Sequence, residues 1–180
     1  MHRLVIILLK NGFEEIEALA PLDVLRRLNY HVKLISMEES LDVIGSHGVK
    51  IEADELYSDS LLECKGVILP GGMPGALNLK NDYRVINLVK KYNEEKKLIA
   101  AICAAPIVLG KANILSNANA TSYPGFENDL KCLNYLEDKV VVCNNIITSR
   151  GPATAFDFAF AIAEYLGLNT SNLYKGMLFK

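Results

Sequence analysis

The run Leu4-Val5-Ile6-Ile7-Leu8-Leu9 is apolar at every position. A strand with one face in water alternates apolar and polar residues; a strand that does not alternate must be covered on both faces. Residues 3–9 therefore read as a strand inside a sheet with helices above and below it. The run is too short for a secretory leader core or a membrane span, and Lys10 ends it.

The rest of the chain repeats the theme. Asn11-Gly12 turns into a helical pattern from Phe13 to Leu28, with Ile16, Leu19, Ala20, Val24 and Leu28 on one side and a kink or loosening expected at Pro21. Tyr30–Ser36, Gly66–Leu69 and the run ending at Cys103 read as further strands. Asp82–Lys96 reads as a helix with Val85, Leu88, Val89 and Tyr92 inward. Residues 107–113, Glu127–Leu133 and Ala153–Leu166 read as helices. Glu38–Glu52, with Gly45 and Gly48, reads as a hairpin excursion, and Asn144-Asn145 as a turn between strands Val140–Cys143 and Ile146–Thr148. Alternating strands and helices predict a mostly parallel sheet with helices on both faces, in which ligands sit beyond the carboxyl ends of the strands. That rule gathers Lys10–Glu17, Pro70–Gly75, Cys103–Pro106, Tyr123–Gly125 and Ser149–Pro152 on one side.

Composition fits this picture. The 180 residues suit one domain over 1–180, and 51% hydrophobic against 22% charged residues fill a core. The net charge of −2, with both signs dispersed, gives no basic surface for nucleic acid. Cys64, Cys103, Cys132 and Cys143 form no C-x-x-C pair, which argues against a zinc ribbon, a thioredoxin motif or a disulfide framework. A reducing, cytoplasmic setting is expected.

The chemistry concentrates at Leu98-Ile99-Ala100-Ala101-Ile102-Cys103-Ala104-Ala105-Pro106. A buried strand ends on a cysteine flanked by small residues and runs into a helix, the layout of a nucleophile elbow. Free amides at a helix start lower a thiol pKa, so a reactive thiolate is one reading; an inert buried cysteine is the other. Glu14, Glu15 and Glu17 lie at the start of the first helix, where two of them offset its dipole. A third, turned into the crevice beside a thiolate, must be protonated to support it, and the two groups would titrate as a pair. The amides of Gly72 and Ala104 can form a two-donor oxyanion hole. Pro70-Gly71-Gly72 lacks the Lys-Ser/Thr of a phosphate loop. None of the histidines, His2, His31 and His47, falls in the crevice loops, which makes a Cys-His dyad improbable. His47 reads as an exposed turn residue able to reach a site only across a dimer.

Gly12-Phe13-Glu14-Glu15-Ile16-Glu17, Leu69-Pro70-Gly71-Gly72, Ala100–Pro106 and Thr148-Ser149-Arg150-Gly151-Pro152 resemble, in order and spacing, the ThiJ/PfpI superfamily, closest to its deglycase branch and that branch's bacterial relatives. The resemblance spans essentially the whole chain. It implies a flavodoxin-like three-layer α/β sandwich and a homodimer, with a reactive Cys103 hydrogen-bonded by a protonated Glu17. Backbone amides at Gly72 and Ala104, with Gly71, Glu14, Tyr123, Arg27 and His47, would line the pocket. The implied activities are cofactor-free, metal-free action on methylglyoxal or its adducts, redox sensing through cysteine sulfinate, and chaperoning. Three residues depart from the pattern. Tyr123 stands where some members carry a histidine, and a phenol is a poor base near neutral pH. His47 stands for an arginine, which weakens an anion pocket above about pH 7, although Arg27 is matched. Ala104 replaces the histidine of the protease-like branch, so proteolysis is disfavoured. Ile16, Leu19 and Pro21 offer a candidate dimer face.

Overall fold

The computed structural model describes residues 4–179. Residue 3, the first of the expected opening strand, and His2 lie outside them. In chain order the first half holds β1 (Val5–Leu9), α1 (Glu15–Arg27), β2 (Val32–Ser36), β3 (Asp42–Ile44), β4 (Lys50–Glu52), β5 (Glu55–Leu56), β6 (Gly66–Leu69), α2 (Gly75–Asn81) and α3 (Tyr83–Glu94). The second holds β7 (Leu98–Ile102), α4 (Pro106–Lys111), β8 (Asn119–Ala120), α5 (Glu127–Leu130), β9 (Asn134–Tyr135), β10 (Val140–Cys143), β11 (Ile146–Ser149), α6 (Ala155–Tyr165) and α7 (Ser171–Gly176).

Seven strands form the central sheet in the order β10-β11-β7-β6-β1-β2-β5. All its pairings are parallel except β10 with β11. Register runs through Val5 opposite Val32, Ile7 opposite Ile68, Ile68 opposite Ala100 and Thr148 opposite Ala101. The unbroken apolar run of β1 now has its reason. Leu4, Ile6 and Leu8 enter one core with Leu88, Val89 and Tyr92 of α3 and Val108 of α4. Val5, Ile7 and Leu9 enter the other with Val24 and Leu25 of α1 and Phe158 and Phe160 of α6. Each face of the strand meets its own helical layer, giving the flavodoxin-like sandwich.

Several local expectations are corrected. α1 runs unbroken through Pro21, because Leu22, Val24 and Leu25 beyond it are buried against the sheet and α6. Its buried residues are Glu15, Glu17, Ala18, Ala20, Pro21, Leu22, Val24 and Leu25, so Ala20 and Val24 lie inward as expected whereas Ile16 faces outward. α5 stops at Leu130, since Lys131 turns left-handed. A 3-10 turn over Pro152–Thr154 precedes α6. The β3–β4 hairpin stands as expected. The short β5, β8, β9 and α7 carry too few residues to show a period. No helix among the described residues is long and apolar enough to cross a membrane.

Candidate active site

β7 delivers Cys103 to the carboxyl end of the sheet. Leu98–Ile102 are buried, and the chain then turns with Cys103 in the left-handed region at φ 63°. A side chain there costs about 1–2 kcal/mol. Two backbone bonds hold the turn: the Cys103 amide donates to the Ser149 carbonyl at 2.9 Å, and the Tyr123 amide donates to the Cys103 carbonyl at 2.8 Å. The end of β11 and the loops after β7 and β8 therefore meet at one residue.

Glu17 arrives from α1, on the stripe that otherwise buries apolar groups, and has no solvent exposure. Its Oε2 accepts the Gly71 amide at 2.8 Å. Its Oε1 is buried with no hydrogen-bond partner among the described residues, and the carboxyl and the Cys103 thiol lie close enough for each to shift the other's titration. Gly71 fits between the two groups. A Cβ there would sit 2.7 Å from both Cys103 Cβ and Glu17 Oε2. The next residue, Gly72, has φ 84°, and a Cβ on it would come within 2.4 Å of the Glu14 amide nitrogen. Glycine at both positions lets the loop close over the sulfur.

Opposing influences act on the Cys103 thiol. The amides of Gly72 and Ala104 do pull the Cys103 pKa down. Burial, then the nearby charge of Glu17, outweigh them and push the thiol up to about 12. Burial is also the largest influence on Glu17, pushed up to about 7. The pair thus carries one negative charge once the pH rises above about 7. Carboxylate accepting from thiol, and thiolate accepting from carboxyl, differ by the place of one proton.

The other expected site residues divide. The Glu14 amide donates to the Gly71 carbonyl at 2.9 Å, which places Glu14 at the rim. Tyr123 reaches Cys103 through its amide, while its half-exposed ring lies over Gly151. Within its own chain Arg27 lies at the far end of α1, paired at 2.7 Å with Asp23 on the surface. Within its own chain His47 lies against the start of α1. Its Nδ1 lies 3.0 Å from Glu15 Oε2 and 3.5 Å from Glu14 Oε2. Glu15, expected only to offset the helix dipole, is the clamp of the hairpin turn. Its Oε1 accepts the amides of His47 at 2.9 Å and Val49 at 3.4 Å. These bonds hold Glu15 below the usual carboxylate range despite its burial, and the two carboxylates raise His47. Glu14, Glu15 and His47 bring one ligand atom each within 4.8 Å, the one metal-like grouping among the described residues. Their mutual hydrogen bonds account for that convergence. His31 precedes β2, at the opposite end of the strands.

Residues 3–165 match the DJ-1/PfpI family. The chain belongs to this family. It is 36% identical over 162 residues to DJ-1 homolog B of Arabidopsis thaliana, covering 89% of the chain but 37% of that protein. It is 38% identical over 172 residues to dj-1beta of Drosophila melanogaster, covering 92% of the chain and 90% of the relative. A putative cysteine protease, YraA of Bacillus subtilis, is 34% identical over 155 residues, 84% of the chain and 91% of that protein. Among solved structures, Drosophila DJ-1beta superposes with a TM-score of 0.90 at 36% identity over 100% of both chains. An oxidised Toxoplasma gondii DJ-1 gives 0.85 at 35% identity, over 91% of this chain and 90% of that one. The family spans Cys103, Glu17 and the glycine loop together, so the one-proton pair lies within the matched region.

Proposed function

We propose that this DJ-1/PfpI domain is a cofactor-free, cysteine-dependent enzyme acting on reactive carbonyls: methylglyoxal, or the adducts it forms on thiols and amines. The observation that carries this reading is the buried Glu17 carboxyl poised on Cys103 at a left-handed turn, with two amides directed at the sulfur. The Cys103 thiolate adds to the aldehyde carbon, and the amides of Gly72 and Ala104 hold the oxyanion. Glu17 gives its proton to that oxyanion, then as a carboxylate takes the aldehyde-derived C–H proton and returns it to the neighbouring carbon, leaving a thioester. Water cleaves that thioester to lactate and restores Cys103, so methylglyoxal plus water becomes lactate plus a proton. His31 is remote and His47 is held by Glu15, so the protease chemistry in the name of the Bacillus relative is not adopted. The reading carries a homodimer, with exposed Ile16 on the contact face, and a reducing cytoplasmic setting for four free thiols.

Lactate release from methylglyoxal, followed by NMR without glutathione, tests the proposal. Wild type should turn over and Cys103→Ser should not; equal rates would end this reading.

A second reading has its own support in the oxidised Toxoplasma relative. Here Cys103 acts as a sensor, its thiolate and two peroxide molecules giving sulfinate and two waters, with Glu17 hydrogen-bonding the product. Peptide mass mapping after peroxide should find oxidation confined to Cys103. Equal oxidation of Cys64, Cys132 and Cys143 would count against it.

A further inference from the structure

The end of the sheet opposite Cys103 carries a groove. It lies where β2, β6 and β7 begin and α1 and α6 end, in two joined lobes of about 600 and 330 Å³. Tyr30, Lys65 and Leu166 line both lobes. Leu28, Leu166 and Leu168 give the larger lobe an apolar floor that continues the core beneath it. The charge around that floor is of one sign. Lys65 and Lys96 bring ammonium groups and His31 an imidazole, and no aspartate or glutamate stands among the described lining residues. Elsewhere on the surface lysines are engaged in ion pairs, as Lys50 is with Asp42, Lys80 with Asp129 and Lys91 with Glu63. The Lys65 and Lys96 side chains have neither an ion pair nor a hydrogen bond among the described residues. The helix ends do not occupy them either, because the carbonyls of Leu25, Arg26, Ala163 and Glu164 are already bonded by the capping amides of α1 and α6. Backbone bonds fix where these side chains start. The Lys65 amide donates to the Leu4 carbonyl at 2.7 Å, and the His31 carbonyl accepts the Val5 amide at 3.0 Å.

We propose that this groove is a binding site for a small amphipathic carboxylate, a monoanion with a hydrocarbon tail of medium length. The carboxylate sits between Lys65 and Lys96 at the smaller lobe, and the tail runs along Leu28, Leu166 and Leu168 in the larger one. The two parts of the ligand answer to two features of the groove. Burying the tail supplies attraction, and the uncompensated ammonium groups select the sign of the head. A neutral molecule with the same tail lacks the second contribution, and a short carboxylate lacks the first. No residue of the Cys103 site takes part, so the site stands apart from the chemistry proposed there.

The test titrates the untagged full chain, labelled with nitrogen-15, with octanoate, octanamide and acetate, and follows the backbone amide shifts. Octanoate should give saturable shifts confined to residues 28–32, 65–66, 96–98 and 166–168. Octanamide and acetate should each bind at least about fivefold more weakly, the size expected of one charge pair at a solvated surface. Lys65→Gln and Lys96→Gln should each weaken octanoate by about the same factor and leave octanamide unchanged. Both side chains are exposed, and spectra unaltered away from the groove show that the variants are folded. Equal affinities for octanoate and octanamide, or octanoate binding that neither lysine variant weakens, would reduce the groove to an apolar crevice and overturn the proposal. Acetate binding as tightly as octanoate would remove the role of the tail and overturn it too. So would shifts lying outside the groove, or none at millimolar octanoate.

Discussion

Cys103 and Glu17 are each unfavourable alone. Cys103 holds a left-handed backbone, and Glu17 buries a carboxyl on a helix stripe that faces the core. Each is placed by partners that leave room for no alternative, and Gly71 is the clearest of them. Gly71→Ala should push the pair apart, costing about 1–3 kcal/mol of stability and slowing alkylation of Cys103. Calorimetry and iodoacetamide kinetics check the two effects; unchanged reactivity would show that Gly71 does not set the spacing. Glu17 also has a stability signature. Its pKa rises from 4.5 unfolded to about 7 folded, so the folded state holds the proton more tightly. That stabilisation is complete below the unfolded value and is lost as pH climbs to about 7, a swing of ~3 kcal/mol at most. Glu17→Gln should remove this decline, so its unfolding temperature relative to wild type should increase between pH 4.5 and 7.5. A constant difference across that window would mean that Glu17 is not protonated by burial. The sequence announced Cys103 through its strand-to-helix turn. It left the choice among three glutamates open, although the helical period had a signal: Glu17 shares a stripe with Pro21, Val24 and Leu25. Read as one face, those positions leave a single carboxylate among core residues, and such a residue needs a partner.

At the scale of elements, α1 and the β3–β4 hairpin act as one unit joined by Glu15. The clamp reads poorly from sequence because it links residues more than thirty apart in the chain and uses backbone donors, which every residue carries. Glu15→Ala should free the amides of His47 and Val49. Their hydrogen exchange should quicken about tenfold or more, while the strands of the central sheet keep their protection. Uniform acceleration would place the effect in global stability instead. Because the folded-state pKa of Glu15 is lowered, the clamp is intact above the unfolded value of 4.5 and weakens only as pH falls through the folded one. The central elements were legible: non-alternating runs for β1, β6 and β7, and a sharply amphipathic α3. The misplaced outward Ile16 and the early end of α5 have local causes. The first is a helix whose buried stripe includes a glutamate; the second is a left-handed Lys131 that carries no glycine or asparagine signature.

For the whole molecule, one sheet buried on both faces fixes the position of everything else. Two separate cores hold the strands rigidly, and the loops at their carboxyl ends can then be shaped by function. The account requires that Cys103 and Glu17 act together on a carbonyl at that end. The most direct measurement is the rate of lactate formation from methylglyoxal by Glu17→Gln beside wild type, with glutamine keeping the side chain's shape and removing its proton transfer. A fall of about 10²–10⁴-fold, with the fold and the Cys103 thiol intact, is the result predicted. Turnover at the wild-type rate would contradict the account.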